Sequence, residues 1–112
     1  MKTITTHVLD LSTGRPASGI DVTLLLAVDG GAPRAVGSAR TDADGRVASF
    51  GIDRLEAGEY QLRFETGSYF AAQRVESFHP RVVIWFRVAD PAEHHHVPLL
   101  LSPFGYSTYR GS

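Results

Sequence analysis

Apolar residues recur at every second position in this chain, in short runs cut off by turn-forming residues. That rhythm leaves room for little but a stack of β-strands. The clearest run is Glu59-Tyr60-Gln61-Leu62-Arg63-Phe64-Glu65. Tyr60, Leu62 and Phe64 share one face and polar residues the other, as in an antiparallel strand buried on one side. From Arg81 to Val88, Val82, Ile84, Phe86 and Val88 point one way, Val83 and Trp85 the other. With both faces apolar, this strand is expected between a core and a second covering surface. Thr3 to Asp10 is rich in Thr, Ile and Val, and Asp21 to Val28 puts Val22, Leu24, Leu26 and Val28 on one face. Ala35 to Arg40, His94 to Leu101 and Tyr106 to Arg110 complete the predicted strands. Turns are expected at Thr13-Gly14-Arg15-Pro16, Asp29-Gly30-Gly31, Asp42-Ala43-Asp44-Gly45, Ala57-Gly58 and Pro103-Phe104-Gly105. Short strands at regular spacing predict an all-β sandwich. Ser68 to Arg74 alone lacks the alternation and ends in helix formers, which predicts a helix of about two turns capped by Thr66 or Ser68.

At 112 residues the chain is expected to be one domain, 1–112. A domain of this size buries only about 60–70% of its unfolded surface. The chain has no cysteine to staple it, which also excludes thiol catalysis and a thiolate metal site. A core, or a core plus burial between subunits, must hold it together. The net charge is −1 with acids and bases interspersed, so neither nucleic acid nor an acidic membrane is an expected partner. Met1 to Thr6 carries no signal-peptide pattern, and no apolar run approaches the ~20 residues of a membrane helix. A cytoplasmic location is the expectation.

Chemistry is concentrated in three places. His94-His95-His96 invites a metal reading. On a strand, however, His94 and His96 face one way and His95 the other. Two could share a metal only if a third ligand came from elsewhere, and the nearby carboxylates are Asp90 and Glu93. The expectation is no metal and no cofactor, and the plainest reading of the cluster is a solvated, polar strand start. His96, Pro98 and Leu100 share a parity, as do His7 and Leu9. A second place is Asp42-Ala43-Asp44-Gly45-Arg46. It resembles a calcium loop but lacks the middle ligand and the downstream bidentate Glu. A tight turn with Gly45 at positive φ is expected instead. The third is the tail, Tyr109-Arg110-Gly111-Ser112, which offers a phenol, a guanidinium, an accessible backbone and a hydroxyl beside a carboxylate.

Thr5-Thr6-His7-Val8-Leu9-Asp10 near the start, and Leu100 to Thr108 followed by Tyr109-Arg110-Gly111-Ser112 at the end, resemble the transthyretin-like family. More narrowly, they resemble its 5-hydroxyisourate hydrolase branch. The resemblance spans His7 to Ser112. It implies a sandwich of two four-stranded sheets with one short helix, and a homotetramer built as a dimer of dimers. It further implies hydrolysis of the cyclic amide of 5-hydroxyisourate, in urate degradation, to 2-oxo-4-hydroxy-4-carboxy-5-ureidoimidazoline. Four residues would carry the chemistry: His7 and His96 as the acid–base pair, Arg46 holding the substrate's oxygen, and Ser112 positioning substrate and water. Tyr109, Arg110, Gly111 and Leu100 would line the substrate pocket. Histidines suit that work because an unperturbed imidazole titrates near pH ~6.5, and Arg suits its own because it is always charged and offers a planar fork. Three alternatives remain: a carrier of a planar aromatic ligand in the intersubunit channel, a structural or adhesive sandwich, and a metal-dependent hydrolase. Hormone-carrying transthyretins diverge from Tyr-Arg-Gly-Ser and lack the counterparts of His7 and His96.

Overall fold

The computed structural model describes residues 3–112. The first two residues, which the reading of the N-terminal segment and the 1–112 boundary included, lie outside the described residues. The elements run β1 Ile4–Asp10, β2 Arg15–Pro16, β3 Asp21–Ala27, β4 Arg34–Arg40, β5 Arg46–Val47, β6 Gly58–Phe64, α1 Thr66–Ala72, β7 Val82–Val88, β8 His95–Ser102 and β9 Gly105–Thr108.

They form two sheets. One is antiparallel in the order β4-β3-β6-β7. The other runs β2-β1-β8-β9, with β5 also paired to β1. β8 lies parallel to the whole of β1, from Ile4↔His95 to Asp10↔Leu101. The remaining edge of β1 is therefore shared by β2, at Leu9↔Pro16, and β5, at His7↔Arg46. This sheet holds five strands but is four strands wide. The sequence reads β2 as part of a turn and assigns β5 to no strand, because a strand of two residues is too short to show a period.

The predicted alternation sets the core. Tyr60, Leu62 and Phe64 of β6 pack with Val22, Leu24 and Leu26 of β3 against Ile4, Val8, Val97, Leu99 and Leu101 from the other sheet. Burying each such side chain contributes about 1.5–3 kcal/mol. Two strand expectations shift. β3 stops at Ala27, and Val28 is exposed because its carbonyl accepts Gly31 N–H in a turn. β7 keeps its predicted parity but is an edge strand, with Trp85 52% exposed. The helix begins earlier than expected, and neither proposed cap operates. Glu65 holds the cap position without a side-chain cap bond, and Thr66 Oγ1 is buried with no partner among the described residues. Phe70 plugs the core while Tyr69 Oη donates to the buried Asp10 carboxylate at 2.8 Å. None of the described helices is long and apolar enough to cross a membrane.

Candidate active site

Strand pairing puts the chemistry on the outer face of the β1–β8 sheet. β1 alternates buried and half-buried residues, so Thr5, His7 and Leu9 face outward while Thr6, Val8 and Asp10 face the core. β8 turns Val97, Leu99 and Leu101 inward and His96 and Leu100 outward. The parallel register sets His96 beside Thr5, Pro98 beside His7 and Leu100 beside Leu9. On the other edge of β1, β5 sets Arg46 beside His7.

Arg46 reaches this position through the turn before it. Asp42 Oδ1 accepts the N–H groups of Asp44 at 2.9 Å and Arg46 at 3.0 Å, so that carboxylate oxygen is engaged by backbone. Gly45 sits at φ 73°, and a Cβ there would overlap the Val8 carbonyl. The positive φ expected of Gly45 is present, and close approach to β1 gives a second reason for glycine.

The tail arrives by an interrupted ladder. Paired strand continues only to Thr108, where the sequence predicted Arg110. Pro98 has no N–H to donate, and its carbonyl accepts Thr108 Oγ1 at 2.7 Å. Tyr109 and Arg110 leave the ladder at that point. Gly111 rejoins β8 in an isolated bridge, donating its N–H to the His96 carbonyl at 2.8 Å.

A cleft of about 260 Å³ opens there, lined in part by Thr5, Arg46, His94, His96 and Ser112. Three of the eight predicted site residues, Arg46, His96 and Ser112, thus meet at one cleft. His7 does not line it but lies on the same face, between Arg46 and Pro98. Gly111 presses against the His96 ring, so the close approach it allows in this chain is to protein. Tyr109 and Arg110 line a different cavity of about 230 Å³ with Trp85, Phe86 and His95. Arg110 Nη2 reaches Glu93 Oε1 at 3.4 Å and the His94 carbonyl at 3.5 Å. Leu100 is half-buried beside Leu9, one strand row beyond Pro98.

Thr5 and His94 also line the cleft, though neither was among the eight predicted site residues. Thr5 Oγ1 lies 2.8 Å from His94 Nε2 and 2.8 Å from His96 Nδ1. The parity of Thr5 with His7 was legible, but its pairing with His96 depends on the register between strands ninety-one positions apart. The parity expected of the triple histidine is present. His95 is turned inward and buried, so the reading of a uniformly solvated strand start does not apply to it. Burial pushes the His95 imidazolium below the ordinary histidine range, with the Arg110 charge adding to it, and its Nδ1 has no partner among the described residues. His96 is also pushed down, first by burial and then by the charges of Arg46, His94 and His7. At neutral pH, His96 therefore presents a neutral imidazole beside a guanidinium.

A sandwich with a parallel central strand pair, and an outer face carrying an imidazole, a guanidinium and a glycine-bridged tail, defines a recognisable class. The chain belongs to the HIUase/Transthyretin family, whose sequence profile matches residues 4–111. A 5-hydroxyisourate hydrolase of Mesorhizobium japonicum is 45% identical over 115 residues, covering 97% of this chain and 91% of its own. The structure of Klebsiella pneumoniae 5-hydroxyisourate hydrolase matches with a TM-score of 0.85 at 43% identity, covering 100% of this chain and 94% of that one. Sea bream transthyretin in complex with thyroxine matches with a TM-score of 0.90 at 26% identity, covering 96% and 93%.

Proposed function

We propose that this protein is a hydrolase that opens the six-membered ring of 5-hydroxyisourate. Water adds to the ring amide carbonyl, the C–N bond breaks, and the product carries a new carboxylate and a ureido N–H, as in 2-oxo-4-hydroxy-4-carboxy-5-ureidoimidazoline. The observation that carries the reading is the convergence of His96, Arg46 and Ser112 on one cleft, in a chain similar to proteins named for this activity.

Ring opening needs an activated water, a stabilised tetrahedral oxyanion and a proton for the departing nitrogen. A neutral His96 suits the first task, since its depressed basicity keeps the lone pair available near pH 7. His7, on the same face, is the second imidazole of the acid–base pair. The Arg46 fork opposes charge developing on the carbonyl oxygen. The Ser112 hydroxyl positions substrate and water. The reaction is metal-free in this reading. In support, the facing nitrogens of His94 and His96 are both engaged by one hydroxyl.

We further propose a homotetramer, a dimer of dimers, in the cytoplasm. β7 and β9 end their sheets as edge strands, and Leu9 and Leu100 stand half-buried side by side on the outward face. Unpaired edges and an outward apolar row are both features that a second copy covers. The likeness to a thyroxine-bound transthyretin favours a carrier as the second reading. A carrier needs no acid–base pair, which is why we rank it below. The test is to add purified protein to freshly generated 5-hydroxyisourate and follow its ultraviolet decay before and after dialysis against a chelator. Accelerated decay that survives the chelator supports the metal-free hydrolase. Decay at the spontaneous rate refutes the activity, and acceleration lost on chelation refutes the metal-free mechanism.

A further inference from the structure

The Thr5 hydroxyl has one proton and two imidazole neighbours. Its Oγ1 lies 2.8 Å from His94 Nε2 and 2.8 Å from His96 Nδ1. It can donate to only one of them and must accept from the other. The protonation of the two rings is therefore ordered as a pair. In one arrangement His96 Nδ1–H donates to Oγ1, and Oγ1–H donates to His94 Nε2. His96 then carries its lone pair on Nε2, the form a general base requires. In the other, His94 Nε2–H donates to Oγ1, and Oγ1–H donates to His96 Nδ1. His96 then carries its proton on Nε2, where the ring is a hydrogen-bond donor and no longer a base.

We propose that Thr5 is a positioning residue whose hydroxyl couples His94 to His96 and so sets whether His96 presents a base or an acid. His94 is exposed to water, while His96 is half-buried. A protonated His94 donates Nε2–H to Oγ1, which frees the hydroxyl proton to turn to His96 Nδ1 and leaves His96 with its own proton on Nε2; when His96 gives that proton up, Nδ1 takes the hydroxyl proton and Oγ1 takes the proton of His94. Conversely, when His96 takes a proton from water at Nε2, the proton on Nδ1 can pass to Oγ1 as the hydroxyl proton passes to His94 Nε2. One proton has then entered at His96, and one positive charge has moved to the exposed ring. Other charged groups set the background of this exchange. Arg46 from β5 and His7 from β1 act on His96, and Glu93 and Arg110 lie beside His94. The sequence around Thr5 gives no hint of the link, because it depends on the parallel register that sets Thr5 beside His96.

The kinetic half of this inference rests on the hydrolase reading; the spectroscopic half does not. Thr5→Val keeps the shape and strand preference but removes the hydroxyl, and Thr5→Ser restores it. Thr5→Val is expected to lower kcat roughly 10- to 100-fold with little change in KM, short of the ~10²–10⁴-fold cost of losing the base itself. Its acidic kcat–pH limb should move to lower pH, because His96 loses an acceptor for Nδ1–H and no longer follows His94. Thr5→Ser should stay within about threefold of wild type. Nitrogen-15 NMR of the histidine rings, without substrate, should show the Nδ1 signal of His96 and the Nε2 signal of His94 shifting together in Thr5→Val only. A folded Thr5→Val with wild-type kcat and pH profile, or with unmoved ring-nitrogen signals, overturns the link. If wild type does not accelerate 5-hydroxyisourate decay, the hydrolase reading fails, and the NMR comparison alone decides the coupling.

Discussion

A single methyl group on Gly111 should separate folding from activity. A Cβ on Gly111 would overlap His96 Cδ2 and lie 3.1 Å from Cγ and 3.2 Å from Pro98 Cγ. Carbon atoms rest at about 3.5–4.0 Å, so something must move by roughly 1 Å. Either the His96 ring turns and gives up its 2.8 Å bond to Thr5, or the tail withdraws and gives up its 2.8 Å bond to the His96 carbonyl. Withdrawal is the cheaper response, because Tyr109, Arg110 and Ser112 are exposed and Gly111 is held to β8 by an isolated bridge. One lost backbone bond costs about 0.5–1.5 kcal/mol, equivalent to a few degrees of melting temperature in a domain this size. The same withdrawal carries Ser112 out of the cleft, and a misplacement of about 1 Å can cost ~10²-fold in rate. Gly111→Ala is therefore expected to melt within a few degrees of wild type by circular dichroism, yet to hydrolyse 5-hydroxyisourate roughly 10- to 100-fold more slowly. Gly105→Ala is the control, since a Cβ there meets nothing within 4 Å among the described residues. Wild-type turnover in Gly111→Ala would refute the reasoning, because it would mean the tail's distance from His96 does not matter to catalysis.

Arg46→Lys keeps the charge but loses the fork, and should cut turnover at least about tenfold with an unchanged melting temperature; equal rates in the two proteins would leave Arg46 as a turn residue. His95 and His96 bind protons less readily when folded than when unfolded, so stability is complete above the ordinary histidine value of 6.5 and falls as the pH drops below it. Thermal melts from pH 7 to about pH 5 should show that decline, and His95→Phe should flatten part of it; a level wild-type profile would contradict both shifts. Light scattering at assay concentration should report a tetramer, and an active monomer would remove the intersubunit reading of Leu9 and Leu100; Pro98, expected beside them, is already buried within the chain.

Periodicity by itself determined the sandwich. Tyr60, Leu62 and Phe64 had to share a face because a strand repeats every two residues, and His95 had to oppose His94 and His96 for the same reason. Turn chemistry likewise marked Gly45. Local rules were silent about which strands touch. Nothing in the run from Thr5 to Leu9 says that it lies parallel to His96 to Leu100, because register is fixed by core packing and not by either strand alone. That register placed Thr5 between two histidines and Arg46 beside His7. The sequence also read Arg15–Pro16 as part of a turn and Arg46–Val47 as no strand, since strands of two residues exist only as partners of β1. The tail shows the division most plainly. Its four residues stood out as a motif. Only the fold, through the missing donor of Pro98 and the Gly111–His96 bridge, sent Tyr109 and Arg110 to one cavity and Ser112 to another.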